Sequence, residues 1–416
     1  MRHSLTYSLL LLLLPATLYG QSLRKSVPDY DFARFRHNRI VFQGDSSSFE
    51  RLFRKLDSVL FLGKGNLNVL HLGGSHVQAG TLTKQLRNDL LSLRPLMDGG
   101  RGMLFPFSAA RTNNPSSFTT GYEGSWKVTK NIQREPDRRL GLTGMALSAS
   151  EDKASVTVTT IARTPGPSDP SFLFNEVKVL GYSSIGDRVP VVVTAKGDTL
   201  TGCLATKDSC WSFSLPCLTD SVRIATKGRG EFTLTGIFLD NPFPGISVTG
   251  IGVNGASLGS YARCQDLARD LGMVKPDLVI LAVGINDATA SNFSPDDFVV
   301  RYKALVSQVR SVRPDCAILF VTNNDSFRRS RRRGYYVNSN GRLAQQAFLR
   351  LGRECGAGVW DLFDIMGGLG SMRKWEEAGL AKRDKIHFTE TGYELLGDLL
   401  FNALMDKYVE HLKKDR

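Results

Sequence analysis

From residue 246 to its end the chain alternates unbroken apolar runs with amphipathic stretches, and this alternation constrains the fold more than any other feature. "ISVTGIGV", "DLVILAVG", "CAILFVT" and "GVWDLF" read as strands. The segments Leu258 to Leu271 and Pro295 to Val312, then "GRLAQQAFLRLGREC" and "TGYELLGDLLFNALMDKYVEHL", read as helices from their apolar periodicity. A strand apolar at every position needs cover on both faces, so these segments imply a parallel sheet between two helical layers. "VLHLGG", Val69 to Gly74, followed by "TLTKQLRNDLLSL", has the same character and belongs to that sheet.

The residues between look different. "SVTVTTIA", "FLFNEVKVL", "VPVVVTA", "CWSFSL", "SVRIAT" and "EFTLTGIFLD" are short strand-like runs separated by "TPGPSDP", "KGDT" and "KGRG". Strands at near-regular spacing with turn signals and no helix point to a β-sandwich. At 416 residues the chain is also long for one hydrophobic core. The expected organisation is a leader at 1–20, the first part of an α/β domain at 21–110, an inserted sandwich at 111–245 and the rest of the α/β domain at 246–416. Trp126 and Trp211 in the insert offer rings for sugar stacking, but aromatic residues of sandwiches usually fill the core.

"MRHSLTYSLLLLLLPATLYGQS" has the three-part form of a secretory signal, with cleavage expected after Gly20. The apolar run is short for a membrane span, so no stable anchor is expected after cleavage, and the mature protein is expected to be periplasmic or secreted. In that compartment six cysteines can pair. Cys203, Cys210 and Cys217 are the disulfide candidates, their connectivity unreadable, while Cys316 in an apolar strand reads as a buried thiol. No cysteine or histidine spacing suits a metal. The net charge of +13 favours an anionic partner such as a cell-wall polymer over nucleic acid, which an exported protein would rarely meet. The densest basic run is "RRSRRRG", from which Arg328, Arg329 and Arg331 are the candidate substrate contacts and a solvated loop is the plain alternative.

In an open parallel sheet, reactive groups gather at the carboxyl ends of the strands. Those ends carry Gly74-Ser75-His76, "GVNGAS" from Gly252 to Ser257, "GIND" from Gly284 to Asp287, and "DKIH" from Asp384 to His387. Serine acyl transfer needs a nucleophile, a base, a group that orients the base, and donors for the developing oxyanion. Ser75, His387 and Asp384 fill the first three roles. The amides of Ser75 and Gly255 and the side-chain amide of Asn286 fill the fourth. Each fragment alone is an ordinary turn; their joint occurrence at strand ends is what carries the reading. His76 is expected to point away from Ser75 in a structural role, and Asp287 to support Asn286 or the turn around Ser75.

In these four blocks and their order the chain resembles the SGNH hydrolases, also called the GDSL esterase/lipase superfamily. Ser75 matches the block I serine, Gly255 the block II glycine (Gly252 being the alternative), Asn286 the block III asparagine, and Asp384 and His387 the block V pair. The usual Gly-Asp-Ser is here Gly-Gly-Ser, so Gly74 stands where a carboxylate is customary. The Ser-His dipeptide, "GGRGM" from Gly99 to Met103, the insert, and "WDLFDIMGG" with the later Trp375, Gly379, Asp384 and His387 resemble bacterial peptidoglycan O-acetylesterases. The resemblance implies an SGNH-type, flavodoxin-like three-layer α/β domain with an inserted carbohydrate-binding-like β-sandwich. It implies a serine esterase that removes O-acetyl groups from a glycan, peptidoglycan first, without a cofactor. An acetyltransferase or a lipid acyl hydrolase built on the same site, and a non-catalytic glycan-binding protein, are the other readings. Oligomeric state is not legible.

Overall fold

The computed structural model describes residues 23–161, 172–194, 197–206, 209–332 and 334–414. The leader at 1–20 and Arg333 lie outside them.

A six-stranded sheet forms the α/β part, in the order Ile40–Phe42, Gly358–Trp360, Ala317–Val321, Leu278–Ala282, Asn66–Gly73 and Gly245–Gly252. Only the edge strand Ile40–Phe42 is antiparallel. Successive strand residues serve opposite layers, as the pleat requires. Val69, Ile280 and Leu319 pack with Phe49, Leu86 and Leu399 on one side. Leu70, Val279 and Phe320 pack with Leu271, Tyr302 and Phe348 on the other. Full burial of each such side chain stabilises the fold by about 1.5–3 kcal/mol. Glycine ends the middle of the sheet: Gly73 lies between Gly252 and Ala282 in register, so three strand ends meet there.

The second part consists of two antiparallel sheets. One runs Thr199–Thr201, Val189–Val193, Ser221–Lys227, Ser155–Thr159 and Thr119–Glu123. The other runs Cys203–Thr206, Cys210–Thr219, Phe174–Gly186, Gly230–Asp240, Met145–Ala149 and Lys127–Lys130. Strand Gly102–Leu104 pairs with Ile237–Leu239 of this sheet, although it precedes residue 111. Val156 and Ile224 of the first sheet share a core with Leu147, Val179 and Phe232 of the second.

Trp126 and Trp211 are buried, Trp126 donating to Glu123 O at 3.0 Å and Trp211 packing edge-on against Phe232, so neither offers a face to a sugar. Cys203, Cys210 and Cys217 are unpaired, as are the other three cysteines. Cys210 and Cys217 lie on one strand, whose register with its neighbour shifts between Ser214 and Thr219. Among the described residues no helix is long and apolar enough to cross a membrane.

Candidate active site

The sheet delivers Ser75. After Gly73 the chain turns at Gly74 into the short helix Ser75–Gln78, and a Cβ on Gly73 would lie 2.3 Å from Val77 Cγ2, so the tight turn demands glycine there. The Tyr261 hydroxyl donates to Gly73 O at 2.6 Å, and the amide of Gln78 to Gly74 O at 3.0 Å. At Gly74 itself a Cβ would make ordinary contacts, 3.5 Å from Ala256 O and 3.7 Å from Asn286 Nδ2. Space therefore does not exclude the missing carboxylate.

Ser75 Oγ lies 2.8 Å from His387 Nε2, and His387 Nδ1 lies 2.8 Å from Asp384 Oδ2. Asp384 Oδ1 accepts the amides of Ile386 and His387, both at 2.9 Å. The bend that allows this passes through Lys385 at φ +59°, a left-handed conformation that side chains seldom adopt. Burial works to raise the Asp384 pKa, but the hydrogen bonds from the His387 side chain and amide and the Ile386 amide outweigh it and hold the carboxyl well below the usual range. An ionised carboxylate only accepts, so Nδ1 carries the proton and Nε2 turns its lone pair to the Ser75 hydroxyl. That is the tautomer a general base needs.

Asn286 is the second residue of the helix Ile285–Ala288 and donates from Nδ2 to Ala256 O at 2.9 Å, beside the turn that holds Gly255. Gly255 has φ +81°, and a Cβ there would meet only Ile132 Cγ2, at 3.9 Å. Gly252 differs: its Cβ would strike Gln78 N and Gly74 O, both at 2.4 Å, so it makes room for the nucleophile turn. Asp287 does not touch Asn286 through its side chain. Its carboxylate accepts Leu258 N at 3.1 Å, tying the Asn286 helix to the start of the earlier helix Leu258–Tyr261, and burial outweighs that bond to push its pKa up to about 6.

His76 packs beside the base. Its ring centroid sits 5.1 Å from that of His387, and its Nδ1 lies 2.8 Å from the Tyr393 hydroxyl. Burial, followed by the charge of His387, lowers its pKa to about 3, so it stays neutral and packs behind the base. With His71 and Asn323 it lines a small cavity of about 40 Å³.

The basic run forms a hairpin, Phe327–Ser330 with Gly334–Val337. Arg328 is half-buried, while Arg329, Arg331 and Arg332 are exposed. The hairpin leans on the Asp384–His387 turn: Phe327 N donates to Lys385 O at 3.0 Å, and Lys385 Nζ sits 5.5 Å from the Tyr335 ring centroid, with Arg329 above the same ring. The sequence reading did not single out Gln78 or Asn254. Both are buried or half-buried amides, in the nucleophile helix and the Gly255 turn, and Gln78 Oε1 accepts the Asn254 N–H at 2.7 Å.

Residues 232–395 match the GDSL-like lipase/acylhydrolase family. Among solved structures, "Peptidoglycan O-acetylesterase in action, 5 min" is similar with a TM-score of 0.72 at 23% identity, over 89% of this chain and 99% of that one. At that identity the likeness establishes a shared fold. An acetyl xylan esterase, AlAXEase, aligns over 38% of this chain and 81% of its own at 20% identity and TM-score 0.31. A family two carbohydrate esterase from Cellvibrio japonicus aligns over 71% and 99% at 12% identity and TM-score 0.27. Among curated proteins none matches by sequence.

Proposed function

We propose that this chain, whose α/β domain is of the GDSL-like acylhydrolase type, is an exported serine esterase that removes O-acetyl groups from a cell-envelope glycan, peptidoglycan first among them. The observation that carries the reading is the unbroken line from Ser75 Oγ to His387 to Asp384, with both contacts at 2.8 Å. Ser75 Oγ attacks the acetyl carbonyl and its proton passes to His387 Nε2. The anion that forms is met by the amides of Ser75 and Gly255 and by Asn286 Nδ2. His387 then protonates the departing sugar oxygen, leaving acetyl-Ser75, and water activated by the same histidine releases acetate. The glycan follows from the similarity to the O-acetylesterase structure, the basic surface and the expected leader. Acetate released from O-acetylated peptidoglycan tests it; acetyl appearing on an added glycan acceptor instead would favour a transferase.

Two further expectations follow from the residues around the triad. Asn286→Ala is expected to lower kcat by about 10²–10³-fold with KM little changed, because the donor acts on charge that develops only during reaction. Steady-state kinetics on 4-nitrophenyl acetate decide it, and a raised KM at constant kcat would recast Asn286 as a ground-state contact.

The hairpin beside the catalytic turn is expected to favour a long anionic substrate over a small neutral one. Neutralising Arg328, Arg329, Arg331, Arg332 and Arg333 should leave 4-nitrophenyl acetate turnover nearly unchanged and weaken activity on insoluble peptidoglycan. Raising salt should weaken the unaltered protein in the same way, since exposed charges are screened. Equal loss on both substrates would mean that the hairpin shapes the pocket; no loss on either would leave it a solvated surface.

A further inference from the structure

A groove that no step above uses adjoins the catalytic site. Its volume is about 450 Å³, and Arg111, Lys127, Lys130, Ile132 and Gln133 lie along it. That is a size typical of small-ligand sites. Two contacts tie it to the site. Arg111 directly precedes Thr112, whose hydroxyl accepts Gln78 Nε2 at 3.0 Å, and Gln78 belongs to the helix that Ser75 begins. Ile132 is the residue that a Cβ on Gly255 would meet, at 3.9 Å. The groove therefore neighbours both the nucleophile helix and the Gly255 turn.

Its walls are basic. No carboxylate lines it among the described residues. Lys127 is paired with Asp137, whereas the Arg111 guanidinium and Lys130 Nζ have no hydrogen-bond or ion-pair partner among the described residues. Lys130 is half-buried, and burial lowers its pKa. A cation partly stripped of water and given no protein anion gains most from an anion that a ligand supplies. Arg111 sits at φ +52°, in the left-handed region that side chains seldom adopt and that is enriched at functional sites. Behind the groove Arg263 Nη1 donates to Asn131 O at 2.9 Å, adding positive charge to the turn that carries Ile132.

An acetyl group held at Ser75 is far smaller than this groove, so what fills it belongs to the sugar side of the substrate. We infer that Arg111 and Lys130 bind a carboxylate there, and that the preferred substrate is an acetylated amino sugar with an acid group on the sugar or on a peptide attached to it. Ile132, exposed beside Gly255, gives the sugar ring an apolar edge to pack against. The inference rests on the esterase reading above and narrows its substrate class.

The test uses the full chain and three soluble substrates. These are O-acetyl-N-acetylmuramic acid, its lactyl amide, which lacks the charge, and its L-alanine conjugate, which moves the carboxylate outward by one residue. The parent should favour at least one acid over the amide by roughly ten-fold in kcat/KM, the scale of a hydrogen bond to a charged group at a partly exposed site. The difference should lie in KM, because the contact is made before and during the reaction alike. Preference for the first acid places the carboxylate on the sugar, and preference for the conjugate places it on the peptide. Lys130→Met and Arg111→Asn, the second chosen because asparagine tolerates a left-handed backbone, should each remove most of the preference. Both should leave 4-nitrophenyl acetate turnover within about two-fold of the parent, since that ester has nothing to place in the groove. If one variant does not melt like the parent, the other carries the test. Equal rates on the acids and the amide, or a preference that survives both substitutions, would overturn the inference while leaving the esterase reading intact. Turnover of 4-nitrophenyl acetate with no acetate from any of the three sugars would overturn the glycan reading and this inference with it.

Discussion

Replacing Ser75 by alanine is expected to lower kcat by about a million-fold while the protein remains folded. The size of the effect follows from what remains: His387 and Asp384 keep their mutual contact, but no oxygen stands 2.8 Å from Nε2 to be activated. The fold should not suffer, because the hydroxyl has His387 as its hydrogen-bond partner and the turn is held by other groups, Tyr261 on Gly73 O and the amides of Val77 and Gln78 on Gly74 O. Steady-state acetate release, with a thermal melt on the same sample, measures both halves. A variant that melts like the parent and still releases acetate at a comparable rate would remove Ser75 from the mechanism.

The second large effect is expected at Asp384. Asp384→Asn should cost about 10⁴-fold in kcat, the scale typical of losing the group that fixes the base's tautomer. The local geometry says how. Oδ1 of Asp384 accepts two backbone amides, from Ile386 and His387. In the variant those two donors hold the amide oxygen, which turns the NH₂ group toward His387 Nδ1. A donor there favours the proton on Nε2, and an Nε2–H cannot accept the proton of Ser75. Raising the pH should not restore the rate, since the defect is one of tautomer and not of charge. Recovery of most activity at high pH would show instead that Asp384 only tunes the basicity of His387.

The α/β architecture was legible because strands buried on both faces read as continuous apolar runs, as "DLVILAVG" and "CAILFVT" do. The site was legible where its parts are close in sequence or sit at strand ends: Asp384 and His387 are three residues apart, and Ser75 directly follows the central strand. Other features were not. Ile40–Phe42 and Gly102–Leu104 are three-residue strands whose pairing is set by distant partners, Gly358–Trp360 and Ile237–Leu239. The hairpin 327–337 was hidden because its arginines suit a loop as well as a strand; what gives it shape is the stacking of Arg329 and Lys385 on Tyr335. Gln78 is hydrogen-bonded to Thr112 and Asn254, 34 and 176 positions away, and no local pattern reports such bonds. The disulfide expectation was not met, all six cysteines being free, since cysteine spacing says nothing of strand direction until the strand is known.

The most direct measurement is acetate released by the purified protein from O-acetylated peptidoglycan, run beside acetylated xylan, a long-chain 4-nitrophenyl ester and the Ser75→Ala variant. The account predicts release from peptidoglycan well above the other two substrates and none above background with Ser75→Ala. Equal release by the parent and the Ser75→Ala variant, or preference for the long-chain ester, would contradict it.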